Sequence, residues 1–214
     1  FYIADGQTRY EVSLEYKKQC EKNNPNHTGK EPYNYIMALF TNAFDDGLIQ
    51  LPVHRLIKFP RKISEDFFIA CAQDYFKIEK IIIDTANDGF LYTMKKQIAS
   101  RNECKFALCF GGNYFYRLTL KDIKHIKELL PNKSDAYCAL PATVINNLIL
   151  KEILGMDEKT IAEYVSYTAR TSIGLERVRN KEFNCMIAVN PVRADQICDV
   201  AGAHERIPER SMFI

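Results

Sequence analysis

The sequence predicts a mixed α/β fold, in which a mixed sheet with antiparallel hairpins is flanked by helices. Stretches whose apolar residues recur at helical spacing alternate with short apolar runs that are rich in β-branched and aromatic residues. The turn Gly111-Gly112-Asn113 joins two of those runs, which indicates at least one antiparallel pair of strands. An apolar share of 47% and a charged share of 26% are ordinary for a globular protein, so 214 residues can bury a real core.

The elements predicted for the first sixty residues lie before and after a turn at Asp5-Gly6. In chain order they are a strand over Phe1 to Ala4, a helix running to about Glu21, an exposed loop over Asn23 to Pro32, and a β-hairpin whose arms, Tyr33 to Phe44 and Leu48 to Phe59, flank Asp45-Asp46-Gly47.

The remaining residues alternate between predicted helices and strands. Ser64-Glu65-Asp66 and Asn87-Asp88 are typical of helix N-termini, and Gly155 follows the last turn of a helix. In chain order the patterns predict a helix from Ser64, a strand over 76–83, a helix to about Ser100, strands over 105–110 and 114–120, helices over 121–130 and 143–154, a strand over 161–167, a helix over 169–180, a strand over 185–189 and a helix over 194–201.

Composition excludes several classes of protein. No apolar run approaches the roughly 20 residues of a membrane span and no signal-like segment occurs, so we expect a cytoplasmic protein without a membrane partner. The seven cysteines are scattered without a C-x-x-C pair, which favours buried reduced thiols over disulfides or zinc. A net charge of +2 does not decide whether nucleic acid is bound, because a basic patch can hide in a balanced total.

The chain begins at Phe1 without an initiator Met and stops at an apolar Ile214, so we expect it to be a fragment of a larger chain. We interpret residues 1–214 as one mixed α/β domain. The alternative is a division into a motif-bearing part, 1–62, and an α/β remainder, 63–214.

The opening Asp5-Gly6-Gln7-Thr8-Arg9 is a candidate anion site. The turn brings Thr8 and Arg9 to the first turn of a helix, where unpaired N–H groups and the helix dipole favour phosphate. Asp5 on the rim could accept a hydrogen bond, hold a cation or act as a base. The alternative is an ordinary Asp-Gly turn beside a surface arginine.

Two further segments carry candidate site residues. His54 and Arg55 are adjacent in a predicted strand, so their side chains point to opposite faces; His54 is either a satisfied, half-buried histidine or a ligand contact. In the tail, Arg210 and Ser211 supply donors suited to phosphate or carboxylate, or else the tail arginines form surface salt bridges with Glu205 and Glu209.

The chain resembles an uncharacterised prokaryotic family, domain of unknown function 1015, whose members are often labelled ParB-like. The stretches that carry the resemblance are Ile3-Ala4-Asp5-Gly6-Gln7-Thr8-Arg9-Tyr10-Glu11, Leu51-Pro52-Val53-His54-Arg55-Leu56, Leu150-Lys151-Glu152-Ile153-Leu154-Gly155 and Ile207-Pro208-Glu209-Arg210-Ser211-Met212-Phe213. The family's first motif, A-D-G-H-H-R-Y-E, is similar to the D-G-H-x-R loop of the ParB/sulfiredoxin superfamily, which includes nucleotide-binding partition proteins and a free serine kinase. The resemblance implies a phosphate-binding loop at the start of a helix.

This sequence departs from the family pattern where titrating groups are expected. Gln7 and Thr8 stand in place of two histidines, Val53 replaces a Thr, Arg210 replaces a Lys and Met212 replaces a Thr. Cationic and small donor groups survive, so the departures count against catalysis more than against binding.

The sequence therefore predicts a protein that binds a phosphorylated metabolite or nucleotide, with phosphoryl transfer to or from a small hydroxylated metabolite such as serine as the candidate reaction. Asp5 and His54 are the candidate catalytic residues, and Thr8, Arg9, Arg55, Arg210 and Ser211 the candidate ligand-binding ones. A nucleotide would bring Mg²⁺.

Two alternatives remain open. One is a ParB-like DNA-binding or regulatory protein, suggested by the basic residues Arg55, Lys58, Arg61 and Lys62 and by a lysine face over 121–127. The other is a degenerate domain that binds a ligand without turnover.

Overall fold

The computed structural model describes residues 1–45, 47–83 and 87–213, with the backbone alone at Asn87, Asp88 and Phe213. Two predicted features lie outside the described residues: Asp46 of the predicted hairpin turn, and the side chains of Asn87 and Asp88 as helix caps. The contacts divide the chain into two compact units, residues 1–49 and residues 50–213.

The first unit is built on the helix α1, Gln7–Asn23, followed by a short 3₁₀ turn at Pro32–Asn34. The predicted helix is confirmed, but none of its residues is buried. The predicted strands over Phe1 to Ala4 and Tyr33 to Phe44 are wrong, since neither segment is in a strand. Apolar residues favour a strand only where a partner backbone pairs with them, and Met37 and Leu39 are 98% and 94% exposed.

The strands of the second unit are β1 Leu51–Pro52, β2 His54–Ile57, β3 Phe76–Ile82, β4 Lys105–Cys109, β5 Tyr114–Leu120, β6 Val165–Thr168, β7 Cys185–Val189 and β8 Met212–Phe213. Six of them form a sheet in which every neighbouring pair is antiparallel, in the order β3-β5-β4-β7-β2-β6. A separate two-residue ladder joins β1 to β8. The hairpin predicted for 33–59 is therefore wrong: β2 pairs with β6 and β7, while β1 pairs with β8.

Helices cover both faces of the sheet. They are α2 Glu65–Ala72, α3 Asn87–Ile98, α4 Lys124–Leu129, α5 Asp135–Cys138, α6 Pro141–Val144, α7 Glu158–Tyr164, α8 Thr171–Arg179 and α9 Ala194–Gly202; α6 continues directly into a π-helix, Ile145–Ile153. The strand predicted from Ile161 starts only at Val165. The reason is the Asp157 carboxylate, which accepts a hydrogen bond of 2.7 Å from the Thr160 amide and caps α7 through that stretch.

The core consists of apolar clusters on the two faces of the sheet. Ile57 of β2 packs in one cluster with residues of the π-helix such as Ile149, and Leu56 packs in the other with Met94 of α3 and Leu175 of α8. All seven cysteines are free, and three of them are buried. Among the described residues, no helix is both long and apolar enough to cross a membrane.

Candidate functional site

Strand β2 directs His54 and Arg55 to opposite faces of the sheet, as their adjacency predicted. His54 is 2% exposed, and its Nε2 lies 2.8 Å from Thr171 Oγ1 at the start of α8. Its Nδ1 accepts a hydrogen bond of 3.2 Å from the Val189 amide. Because Nδ1 accepts from an amide, the proton is on Nε2, and burial lowers the pKa of the imidazole to about 4.

These contacts leave neither ring nitrogen of His54 available to a substrate. A general base needs a free lone pair within reach of the proton that it takes. The geometry corresponds to the satisfied buried histidine that the sequence left open. The catalytic role of His54 stays a prediction, and its contacts do not favour that role.

Arg55 is a buried cation in the second unit whose guanidinium group is only partly hydrogen-bonded. Its side chain is 1% exposed, and Nη1 donates a hydrogen bond of 2.6 Å to the Val53 carbonyl. Nε and Nη2 are buried without a hydrogen-bond partner among the described residues, and no described carboxylate pairs with the guanidinium. Burial lowers the pKa of Arg55 to about 10, so the side chain is still a cation at neutral pH.

The two unpartnered nitrogens belong to one edge of the guanidinium plane. Nε carries one hydrogen, and Nη2 carries one that points in the same direction, so the two N–H bonds form a fork. This edge binds two oxygens of a carboxylate or phosphate in parallel. The Val53 carbonyl occupies Nη1 and leaves the fork free.

The Tyr167 ring lies near two cations, Arg55 and Arg210. Arg55 and Tyr167 are paired across β2 and β6, and the guanidinium carbon of Arg55 lies 5.8 Å from the centre of the Tyr167 ring. The guanidinium carbon of Arg210 lies 4.7 Å from the same ring centre. The two carbons are thus no farther apart than the sum of these distances.

Arg210 lies near this ring because the tail pairs with β1, the strand that directly precedes β2. In the short ladder Met212 pairs with Pro52, two residues from His54. Arg210 has a φ of 58°, a left-handed conformation that is uncommon for a residue with a side chain. It is exposed and forms no ion pair within the described part of the chain, so the predicted salt bridge to Glu205 or Glu209 is not seen for it.

Ser211 is buried beside Arg210, at 5% exposure. Its hydroxyl donates to the carbonyl of Pro208 within the tail itself. The proton is therefore engaged, and the hydroxyl oxygen keeps an acceptor position. The bond stabilises the tail turn that carries Arg210.

Asp5, Thr8 and Arg9 belong to the first unit. Gly6 precedes α1 with a φ of 76°, and no side chain caps the helix among the described contacts. Arg9 folds back so that its Nη2 lies 3.6 Å from Asp5 Oδ2, and both side chains are about four-fifths exposed, 80% and 79%. The helix amides remain open to an anion, but the guanidinium already has a carboxylate neighbour.

No group of three or more His, Cys, Asp or Glu side chains in the described ranges is placed to hold a metal ion. The residues best suited to hold a phosphate are Arg55 and Arg210. A nucleotide cofactor with Mg²⁺ stays a prediction.

A family model matches residues 1–148, which is more than half of the chain, and is described as "Protein of unknown function (DUF1015)". The chain belongs to this family. No curated protein and no solved structure matches it.

The family match includes the opening motif and the His54-Arg55 pair, but it ends before Tyr167 and Arg210. The ParB-like relationship of the opening motif is not confirmed. Sequence reasoning missed Tyr167 and the burial of Arg55. A signal was available for Arg55: it alternates with Val53, just before β2, and with Ile57, and both of these residues are fully buried.

Proposed function

We propose that this is a cytoplasmic protein that binds a phosphorylated metabolite or nucleotide, with Arg55 as the anchor of the anion. The observation that carries the proposal is the buried fork of Arg55, which has no partner among the described residues. A charge that is removed from water without a partner destabilises a protein by several kcal/mol. An oxyanion at the fork would offset that cost.

Phosphate and carboxylate both match the fork, and the neighbouring Arg210 favours the more highly charged group. Phosphate esters carry up to two negative charges at neutral pH, so they gain more than a carboxylate from two nearby guanidinium groups. Phosphorylated metabolites and nucleotides are therefore the ligand class that we expect.

Phosphoryl transfer to or from a small hydroxylated metabolite such as serine remains a further proposal with less support. It needs a base, and both ring nitrogens of His54 are engaged. Asp5 is accessible but lies beside Arg9 in the first unit. Together with the histidines lost from the motif, these contacts favour a domain that binds its ligand without turnover.

DNA binding is supported less by the described residues. Arg55, a member of the basic cluster, is buried, and Lys127 of the lysine face lies 2.6 Å from an Asp135 carboxylate oxygen. If duplex DNA is a partner, its affinity falls steeply as salt rises. Binding that is absent at low salt removes this alternative.

The test is calorimetric titration of the protein with inorganic phosphate, ADP, ATP and O-phosphoserine. We expect at least one of these probes to bind, and Arg55→Lys to weaken it by at least tenfold, since Lys keeps the charge but loses the fork. Arg193→Ala is the control, because Arg193 is paired with Asp195 at 2.9 Å outside the site. We expect it to change affinity less than twofold.

Two results would overturn the assignment to Arg55. One is equal affinity in the parent protein and Arg55→Lys. The other is a loss of affinity in Arg9→Ala with none in Arg55→Lys, which would move the phosphate to the start of α1. Failure of all four probes to bind at millimolar concentration would reject the ligand class.

A further inference from the structure

We propose that the ligand of this site carries two anionic groups, one bound by the fork of Arg55 and the other by Arg210. Both guanidinium groups lie near the Tyr167 ring. The inference rests on the proposed function and narrows its ligand class. It predicts a diphosphate, or a phosphate and a carboxylate on a short chain, rather than a ligand with one anionic group.

The first support is that two cations share one aromatic neighbour. The guanidinium carbons of Arg55 and Arg210 lie 5.8 and 4.7 Å from the Tyr167 ring centre. Within the described ranges, neither has a carboxylate at ion-pair distance. Like charges this close repel each other, most strongly where water is excluded, so a single bound anion at Arg55 would compensate only part of the charge.

The second support is the conformation of Arg210. A left-handed φ of 58° is unfavourable for a residue with a Cβ, and such conformations persist where the surroundings or a ligand need them. The turn held by the hydroxyl of Ser211 carries Arg210 in this conformation, and the guanidinium group lies over the Tyr167 ring although the residue is exposed. The tail thus places a cation over this ring by means of an unfavourable backbone conformation.

The third support is the space beside Tyr167 and Arg210. A cleft of about 570 Å³, within the range of metabolite sites, is lined by Tyr167 and Arg210 and by residues of α7, β6 and α8. Glu158 and Glu209 also line it, and their carboxylates can accept hydrogen bonds from hydroxyl or amine groups. A ligand with two anionic groups at one end and polar hydrogens at the other fits this lining.

Accessibility suggests how the two anions divide. The nitrogens of the Arg55 fork are buried behind the cleft lining, which includes Tyr167 but not Arg55, whereas Arg210 is exposed and Tyr167 is partly exposed. The anion at Arg55 is then the desolvated one and determines whether a ligand binds at all. The anion at Arg210 stays near water and determines how much tighter a bis-anionic ligand binds than a mono-anionic one.

The experiment compares inorganic diphosphate with inorganic phosphate by calorimetry, in the parent protein and in Arg210→Gln. We expect diphosphate to bind at least tenfold more tightly than phosphate to the parent. In Arg210→Gln that ratio should fall by at least fivefold, because diphosphate loses a contact that inorganic phosphate, bound at Arg55, does not need in full. The unfolding midpoint of each variant is measured first, and Arg210 is exposed, so the variant should fold.

Arg177→Gln is the matched control. Arg177 lines the same cleft, but its Nε is 2.9 Å from a Glu182 carboxylate oxygen, so removing it tests loss of a positive charge without loss of the proposed contact. We expect the ratio to stay within twofold of the parent. An equal fall in both variants would mean that only net charge matters and would overturn the inference.

The failure of this inference is distinguishable from failure of the proposed function. If phosphate binding depends on Arg55 but Arg210→Gln leaves the ratio unchanged, a single anion occupies the site and the inference is wrong. If phosphate and diphosphate bind without dependence on Arg55, the proposed function itself is wrong at this site.

Discussion

Arg55 Nη1 donates a hydrogen bond of 2.6 Å to the carbonyl of Val53, two residues earlier in the chain. This bond orients the guanidinium and uses the one donor nitrogen that does not belong to its fork. The other two nitrogens of this buried cation, Nε and Nη2, have no hydrogen-bond partner among the described residues.

The first prediction is that Arg55→Met stabilises the ligand-free protein. Methionine fills a similar volume without a charge, so the uncompensated desolvation disappears, and the free energy of unfolding should rise by about 1–3 kcal/mol. Urea unfolding in phosphate-free buffer measures it, with Arg55→Lys as the control that keeps a charge and should show no such gain. A loss of stability in Arg55→Met would show that the guanidinium is already compensated in the folded protein.

The second prediction concerns acid. The pKa of His54 falls to about 4 in the folded protein from its ordinary 6.5, so the unfolded chain binds more protons between these values. The stability that His54 contributes is thus complete above about pH 6.5 and is lost as pH falls toward 4. Between pH 6.5 and 4.5 the free energy of unfolding should fall by about 2–3 kcal/mol, at up to about 1.4 kcal/mol per pH unit.

His54→Gln isolates this contribution to the pH dependence. Glutamine does not titrate, so the stability of the variant should depend less on pH across the same interval, whatever its absolute value. Carboxyl groups such as Glu31, whose pKa is lowered to about 2 by the Thr28 amide, act mainly below pH 4.5 and fall outside that interval. Parallel curves for parent and variant would contradict the assignment.

The third prediction concerns the start of α1. A Cβ at Gly6 would lie 3.1 Å from Arg9 Nη2, and the φ of +76° is itself unfavourable for alanine. Gly6→Ala should therefore loosen the first helical hydrogen bond, from the Tyr10 amide to the Gly6 carbonyl, and speed amide exchange at Tyr10 by about fivefold or more, equivalent to about 1 kcal/mol.

Gly29→Ala is its control, because Gly29 also has a positive φ, +83°, but a Cβ there would meet nothing within 4 Å. This variant should leave exchange at Tyr10 unchanged. Equal exchange rates in Gly6→Ala and the parent protein would show that the turn does not depend on glycine.

The fourth prediction tests how closely α8 packs on the sheet. A Cβ at Gly174 would lie 2.6 Å from Met186 Sδ and 3.2 Å from Thr168 Cγ2, so Gly174→Ala should lower the free energy of unfolding by about 1–3 kcal/mol. Gly202→Ala, where a Cβ meets nothing within 4 Å, should change it by less than about 1 kcal/mol. Urea unfolding measures the free energy of unfolding of both variants. Equal values for Gly174→Ala and Gly202→Ala would mean that Met186 moves aside without cost.

Local patterns predicted much of the fold because their physical causes are local. Ser64 caps α2 through a hydrogen bond from the Phe67 amide, and both residues stand in the same short stretch of sequence. The strands around Gly111 are paired as expected, because a short turn brings neighbouring apolar runs together. The opposite directions of His54 and Arg55 follow from the alternation of any strand.

Other features depended on residues that are far apart in the chain. The hairpin predicted for 33–59 was wrong because β2 pairs with β6 and β7. Local sequence patterns do not show which distant strands will pair. The residue that engages His54, Thr171, is 117 positions away.

By itself, then, the sequence determined the family, the mixed α/β class and most helices, and it predicted which arginines and which serine would bind an anion. Only the tertiary structure decided that Arg55 is buried with its fork unpartnered, that His54 is satisfied, and that Arg210 shares the ring of Tyr167 with Arg55. Periodicity reports which residues face a core, since it depends on backbone geometry within one element. Desolvation and ion pairing depend on which elements meet, and that is decided by the packing of the whole unit.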